Sequence, residues 1–450
     1  MNRKDVWRLL KGTAALWLAL VPVAVAAQES PPVYPESRSA GRRTQVGAQI
    51  VTQEKPAVPA SLDELVAEAL ANNPGVQSAL RRVEALRRRA PQARSLPDPM
   101  LEVGWMGNLK PFGVMRDDPS SYRGVALQQA LPFPGKLRLR GDIAGKEAEA
   151  AWWDYEAARR QVVTEVKAAY FEYAYYHKAT DITLKNKDLL EKLARIAQAR
   201  YEVGKGIQQD VLKAQIEISR LRQRLTVIEQ QKRTAQVRLN TLLARDPETP
   251  LADPAPLART ELVRSLDELY QLARENDTGL QREQRRIERG ELAVNLARKE
   301  YYPDLGVGYS YWNRPLQRDM HGFTFSVNLP VFYRSKQREG VREATEELIS
   351  VERGRADRET TLYFEVKQQY LAAKASDELA QLYAQAVVPQ SSLALESALS
   401  AYQVGSVDFL TLMESFSTVL DYEIDYYREL ANYQAALARL EPLVGVELTK

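Results

Sequence analysis

The chain has 450 residues, 45% hydrophobic and 27% charged, with a formal net charge of +3. It contains no cysteine and only two histidines, His177 and His321, which excludes disulfides, thiolate metal sites and thiol nucleophiles. Arg3, Lys4, Arg8 and Lys11, set against Asp5, account for the whole charge excess, so the remainder is near neutral and argues against a nucleic-acid partner.

Those basic residues precede an apolar run from Gly12 to Val23, too short to span a bilayer comfortably, and then Ala24-Val25-Ala26 as a small-residue cleavage site. Residues 1–27 therefore read as a secretory signal peptide, and without cysteine no lipid anchor is expected behind it. Residues 28–60 are rich in Pro, Ser and Gln and lack apolar periodicity, as a disordered leader would.

Order is expected from Ser61, where Ser-x-x-Glu predicts a capping box and Leu62, Leu65, Val66, Ala69 and Leu70 share a helical face. Asn72-Asn73-Pro74 interrupts this helix, and a second one runs to about Arg94. Two strands follow, about 100–109 and 122–131, in which Leu101, Val103 and Trp105, then Val125 and Leu127, alternate with small or polar residues. Leu131-Pro132-Phe133-Pro134-Gly135-Lys136 ends the pair. Because proline cannot donate to a ladder and suits a helix start, Pro132 and Pro134 predict a hinge where strand becomes helix. A very long helix, about 134–203, then runs without proline, roughly 100 Å at 1.5 Å per residue. The turn Val203-Gly204-Lys205-Gly206 leads to a return helix, about 206–245. There Ala214, Ile218, Leu221, Leu225, Ile228, Ala235, Leu239 and Leu242 keep coiled-coil spacing, with Lys232 the one polar break.

After a linker at 251–264 the whole pattern is repeated, about 200 residues on. Ser61-Leu62-Asp63-Glu64-Leu65 returns verbatim as Ser265-Leu266-Asp267-Glu268-Leu269, and Leu131-Pro132-Phe133 returns as Leu329-Pro330-Val331. Glu165-Val166-Lys167 returns as Glu365-Val366-Lys367, and Tyr201-Glu202-Val203-Gly204 as Tyr402-Gln403-Val404-Gly405. The repeats are thus 61–250 and 265–450. The second predicts strands about 305–313 and 322–330, a hinge at Pro330, and helices about 333–403 and 406–442, with Pro389 alone interrupting the long one. A repeat of this length is a duplicated half-protein rather than a solenoid.

The fold class is therefore mainly α with a membrane β-barrel, each half-repeat supplying two strands and a long antiparallel coiled-coil hairpin. Strands of about nine residues, apolar on one side and small or polar on the other, suit a lipid-facing, water-lined barrel. Four strands cannot close one, and an open edge in lipid would leave backbone groups unpaired, so copies must pool their strands. No nucleotide-binding, hydrolase or zinc-protease motif is present; the chain reads as no enzyme, with no cofactor and no metal site.

The duplicated halves, the Asn72-Asn73-Pro74 break, the strand-to-helix prolines and the twin Tyr-x-Val-Gly turns resemble the TolC family of outer-membrane efflux channels, from Ser61 onward. The stretch Leu131 to Lys136 is similar to the members paired with heavy-metal RND pumps. The resemblance implies a homotrimer in outer-membrane lipid of a Gram-negative-type cell, with a twelve-stranded barrel above an α-helical periplasmic tunnel. It implies docking to a periplasmic adaptor at Val203-Gly204 and Val404-Gly405, and an inner-membrane RND-type or similar pump driving transport through a passive exit duct of a tripartite efflux system. It also assigns Tyr402 and Asp210 to a linked pair at the periplasmic gate and Glu414 to a carboxylate ring at the constriction. Val407 stands where a basic residue is often found, and Thr411 where an acidic one is. On residue chemistry alone, Tyr402 could pack a helix end and Asp210 could cap the return helix. The alternative to a duct is a periplasmic coiled-coil adaptor or scaffold, although adaptors carry one hairpin where this chain has two.

Overall fold

A computed structural model describes residues 61–449 apart from Arg116 and Leu316; the expected signal peptide and leader lie outside the described residues. Ser61 accepts a hydrogen bond from the Glu64 amide at 3.3 Å and starts α1 (Leu62–Asn72), but only this half of the expected capping box forms. Asn73 then ends α1 and caps α2 (Pro74–Arg94), its Oδ1 accepting from the Gly75 and Val76 amides, with Pro74 at the position where a missing N–H costs nothing. In the second half, α5 (Leu266–Asn276) carries the complete box: the Glu268 amide donates to Ser265, and the Ser265 amide donates to Glu268 at 2.7 Å. Asp277 caps α6 (Thr278–Lys299) as Asn73 caps α2.

The four strands, β1 (Met100–Met106), β2 (Tyr122–Leu131), β3 (Asp304–Asn313) and β4 (Met320–Asn328), form one antiparallel sheet in chain order. Registration aligns the alternating residues into rows. Leu101, Leu127, Tyr309 and Phe323 cross the sheet on one face, while Glu102, Ala126, Ser310 and Gly322 cross it on the other. The apolar face is largely bare, with Phe323 86% and Phe325 68% exposed. On the opposite face Trp312 lies so close over β2 that a Cβ at Gly124 would collide with its ring and with the Tyr311 carbonyl. Among the described residues β1 and β4 each keep one unpaired edge.

Below the sheet run α3 (Lys136–Glu202, 67 residues), α4 (Gln208–Leu242), α7 (Gln337–Leu382), α8 (Val388–Val404) and α9 (Phe409–Val444). The sequence places the interruption of the second long helix at Pro389. The structure shows a π turn, Tyr383–Val387, just before it, so the rod continues and the proline sits in the first turn of α8, where its lost N–H is tolerated. Buried seams hold the hairpins. Ala214, Leu221 and Ile228 of α4 meet Leu190, Leu193 and Ala197 of α3 and Phe409, Leu412 and Phe416 of α9. Higher up, Leu269, Leu362, Leu437 and Leu440 form a second cluster, each side chain contributing about 1.5 to 3 kcal/mol on burial. Lys232, the polar break in the α4 seam, lays its ammonium over the Tyr173 ring at 6.0 Å, so the seam loses no contact layer there. No helix among the described residues is long and apolar enough to cross a membrane.

Candidate functional site

At the ends farthest along α3 and α8 from the sheet, two glycine turns reverse the chain. Gly204 (φ +72°) and Gly405 (φ +83°) occupy the left-handed region that a side chain disfavours, which fixes glycine at both places. The valines before them project into solvent, Val203 at 68% and Val404 at 78% exposure. Ile207 is also exposed, so the tip presents an apolar cap on a polar rod.

Tyr402 and Asp210 come together within one chain, from different hairpins. Tyr402 is buried at 3% exposure, packed edge-on against Phe409 at 5.5 Å. Its hydroxyl, sealed from water, has no hydrogen bond of good geometry, yet the Asp210 carboxylate is near enough to couple to it. Burial pushes the Asp210 carboxyl above its usual value; Asp408 adds to the effect, while Lys213 and the Tyr402 hydroxyl oppose it. Asp210 lies in the first turn of α4, whose N-cap position is Ile207, so the structure does not make it the cap. Asp408 does cap its helix, α9, accepting from the Thr411 amide at 2.9 Å and hydroxyl at 2.6 Å, and these bonds hold its carboxyl below the usual range. Thr411 is thereby spent on a helix start, and Val407, half-buried, packs into the apolar seam. Glu414 stands exposed on α9, its carboxylate without a partner among the described residues.

A residue that the sequence did not single out links the two turns. Arg200, in the last turn of α3, reaches across to α8 and donates through Nη1 to the Tyr402 carbonyl and, at 3.3 Å, to that of Gln403. Its guanidinium stacks over the Tyr402 ring at 4.7 Å. Both carbonyls lie in the last turn of α8, where a cation is favoured, and that of Tyr402 also accepts from the Gly405 amide at 3.1 Å. The matching position in the repeat is Ala401, and Tyr201, the counterpart of Tyr402, is exposed. A lone arginine in one copy of a duplicated turn is the signal that could have found it.

At the other end of α3, Pro132 and Pro134 lie between β2 and α3, with Gly135 (φ +93°) preceding the helix, which starts at Lys136. Lys136 is 1% exposed and donates to Glu300 (3.0 Å), Asp304 (2.9 Å) and the Tyr302 carbonyl (3.2 Å). Asp304 also accepts from the Phe133 amide at 2.7 Å, and Phe133 stacks on Tyr302 at 4.5 Å. Pro330 follows β4, but there helix begins only at Gln337, and Leu329, Val331, Phe332 and Tyr333 stay exposed. His177 pairs with Asp253 at 3.0 Å and His321 with the Tyr309 hydroxyl at 2.7 Å. No group of three or more His, Asp or Glu among the described residues could hold a metal ion.

Comparison with known proteins agrees with this geometry. The model of the family described as outer membrane efflux protein matches residues 65–245 and 269–446, one segment per repeat. The chain is 21% identical over 400 residues to the cobalt-zinc-cadmium resistance protein CzcC of Cupriavidus metallidurans, covering 88% of this chain and 92% of that protein. A membrane protein from Pseudomonas aeruginosa superposes with a TM-score of 0.74 at 21% identity, over 86% of this chain and 94% of the other. The outer membrane protein VceC of Vibrio cholerae superposes at 0.72 and 18% identity, over 86% and 96%. The similarity to these solved structures lies in the fold.

Proposed function

We propose, on the premise that the chain belongs to the outer membrane efflux protein family, that it forms one third of a trimeric exit duct. The observation that carries this is the four-stranded sheet with a bare apolar face, a small and polar face, and two open edges. Three such sheets, joined edge to edge, would make a twelve-stranded barrel with apolar side chains toward lipid and glycine, serine and threonine toward water. The helical hairpins would then line a tunnel continuous with it. The exposed Val203-Gly204 and Val404-Gly405 turns suit end-on docking of a periplasmic adaptor, with an inner-membrane RND-type pump as the source of energy. Tyr402, Asp210 and Arg200 would hold the tips together as a gate, and Glu414, repeated by symmetry, would line the constriction. Pro132, Pro134 and Pro330 would mark the join of barrel and tunnel. The name of CzcC connects that protein with cobalt, zinc and cadmium; a carboxylate ring favours cationic cargo of this class, which the duct would pass without chemistry.

Purified protein in planar bilayers tests the reading. Discrete conductance from a heat-sensitive oligomer recovered in the outer-membrane fraction is expected. A soluble periplasmic monomer without conductance would refute it.

A further inference from the structure

Repetition equates α2 with α6 and α3 with α7, but the two pairs are not equally enclosed. Within the chain α3 packs against both α2 and α6, and α6 packs against both α3 and α7. This leaves α2 and α7 as the ends of the row, as β1 and β4 are the ends of the sheet. The junction beside α3 is closed by the second half: Lys136 is locked to Asp304 and Glu300. Its repeat beside α7 is not. Lys336 immediately precedes α7 as Lys136 opens α3, yet it is exposed and has no acidic partner among the described residues. Conversely, Leu96-Pro97-Asp98 repeats Tyr302-Pro303-Asp304 just ahead of a strand, and Asp98 is exposed with no cationic partner among the described residues. Each half of a known contact is therefore present once more, unpaired, at the two open edges of the same sheet-to-helix junction.

Charge along the two open helices agrees. α2 carries six arginines against the single Glu84; Arg81, Arg89 and Arg94 pair with Glu84, Glu147 and Asp142 and Arg87 lies over Trp152, which leaves Arg82 and Arg88 without an acidic partner among the described residues. Over the same length, residues 337–357 of α7 carry five glutamates and Asp357 against four arginines, with Glu343, Glu346 and Glu347 exposed. Like charges on neighbouring helices repel, whereas a basic flank and an acidic flank attract across an interface and set its orientation.

We propose that α7 and the β4–α7 junction of each subunit receive α2 and the Leu96-Pro97-Asp98 junction of a second copy of this chain. In this contact Lys336 binds Asp98 of the neighbouring copy as Lys136 binds Asp304 within one. Applying the β2–β3 register to the joined edges sets Val327 of β4 opposite the neighbouring copy's Leu101 and Phe325 opposite its Val103. The inference rests on the trimeric reading and names the contact that closes the ring.

The absence of native cysteine makes the test direct. Full-length protein carrying Asp98→Cys with Lys336→Cys is treated in membranes with a short bifunctional thiol reagent. A ladder of covalent dimers and trimers is expected, whereas Lys136→Cys with Asp304→Cys should give linkage inside the subunit and no ladder. Lys336→Glu should lower the temperature at which the oligomer dissociates in detergent, and adding Asp98→Lys should restore it. An intact oligomer with no ladder and no restoration would overturn this contact while leaving the duct standing. A wild-type chain that is monomeric by native mass spectrometry would overturn both.

Discussion

Removing the Arg200 side chain should loosen the second hairpin tip without unfolding the rod. In the structure Arg200 donates to the carbonyls of Tyr402 and Gln403 and covers the Tyr402 ring. A hydrogen bond from a charged donor contributes about 1.5 to 3 kcal/mol, and a cation over an aromatic face at an exposed site about 0.5 to 1 kcal/mol. Arg200 is only half-buried and water replaces part of what is lost, so Arg200→Ala should cost the closed tip about 2 kcal/mol. At about 1.4 kcal/mol per factor of ten, this is about a thirtyfold increase in local opening. The amides of Gly405 and Ser406, which donate to the Tyr402 and Ala401 carbonyls at 3.1 and 2.9 Å, report that opening through hydrogen exchange. Their exchange should accelerate by that factor, while amides in the middle of α3 stay protected. Arg200→Lys, which keeps the charge but loses the planar fork, should fall between the two. Unchanged exchange at Gly405 and Ser406 would show that the arginine decorates the tip rather than holding it.

Other outcomes follow from the same structure. Burial raises the Asp210 carboxyl, so the closed tip holds that proton more tightly than an open one. Closure should be strongest below the ordinary carboxylate range and weaken as pH rises through the raised value. Single-channel open probability should therefore climb with pH over this acidic window and lose the slope in Asp210→Asn; an identical slope in both proteins would discard the assignment. Arg358 donates to the buried Asp277 carboxylate at 2.7 and 3.2 Å, and Arg358→Ala should destabilise the fold by about 3 kcal/mol by leaving that charge without its partner. Chemical denaturation measures this, and a loss under about 1 kcal/mol would contradict it. Glu414→Gln should reduce cation preference in reversal-potential measurements across a salt gradient; an unaltered reversal potential would remove Glu414 from the constriction.

Much of the architecture was legible because it rests on local rules. Period-two alternation over Phe323, Phe325 and Val327 needs only a pleated backbone, and the Asn73 break needs only a cap followed by Pro74. The length of α3 followed from uninterrupted helix-compatible sequence. What was not legible depends on partners far apart in the chain. Arg200 meets carbonyls about two hundred positions away, and Lys136 meets Asp304 and Glu300, so neither leaves a local signature. Pro389 marked the irregularity of the long helix to within a turn, but not its form: the preceding π turn carries the helix past the proline. The complete capping box formed at Ser265 but only half of it at Ser61, although the five residues are the same, because Glu64 does not turn back to the Ser61 amide.

One last consequence concerns the plainness of a single sheet face. The row Glu102, Ala126, Ser310 and Gly322, with Gly308 and Thr324 beside it, offers mostly stubs too short to bar a passer-by. Apart from Tyr122 and Trp312 at one end of this face, a barrel walled in this way would have little with which to sort molecules by bulk. In the proposed duct, admission would instead be decided roughly 100 Å away, at the foot of α3, where Arg200 and Tyr402 crowd together. On that reading, the wide end of the duct would leave the choice of passenger to the narrow one.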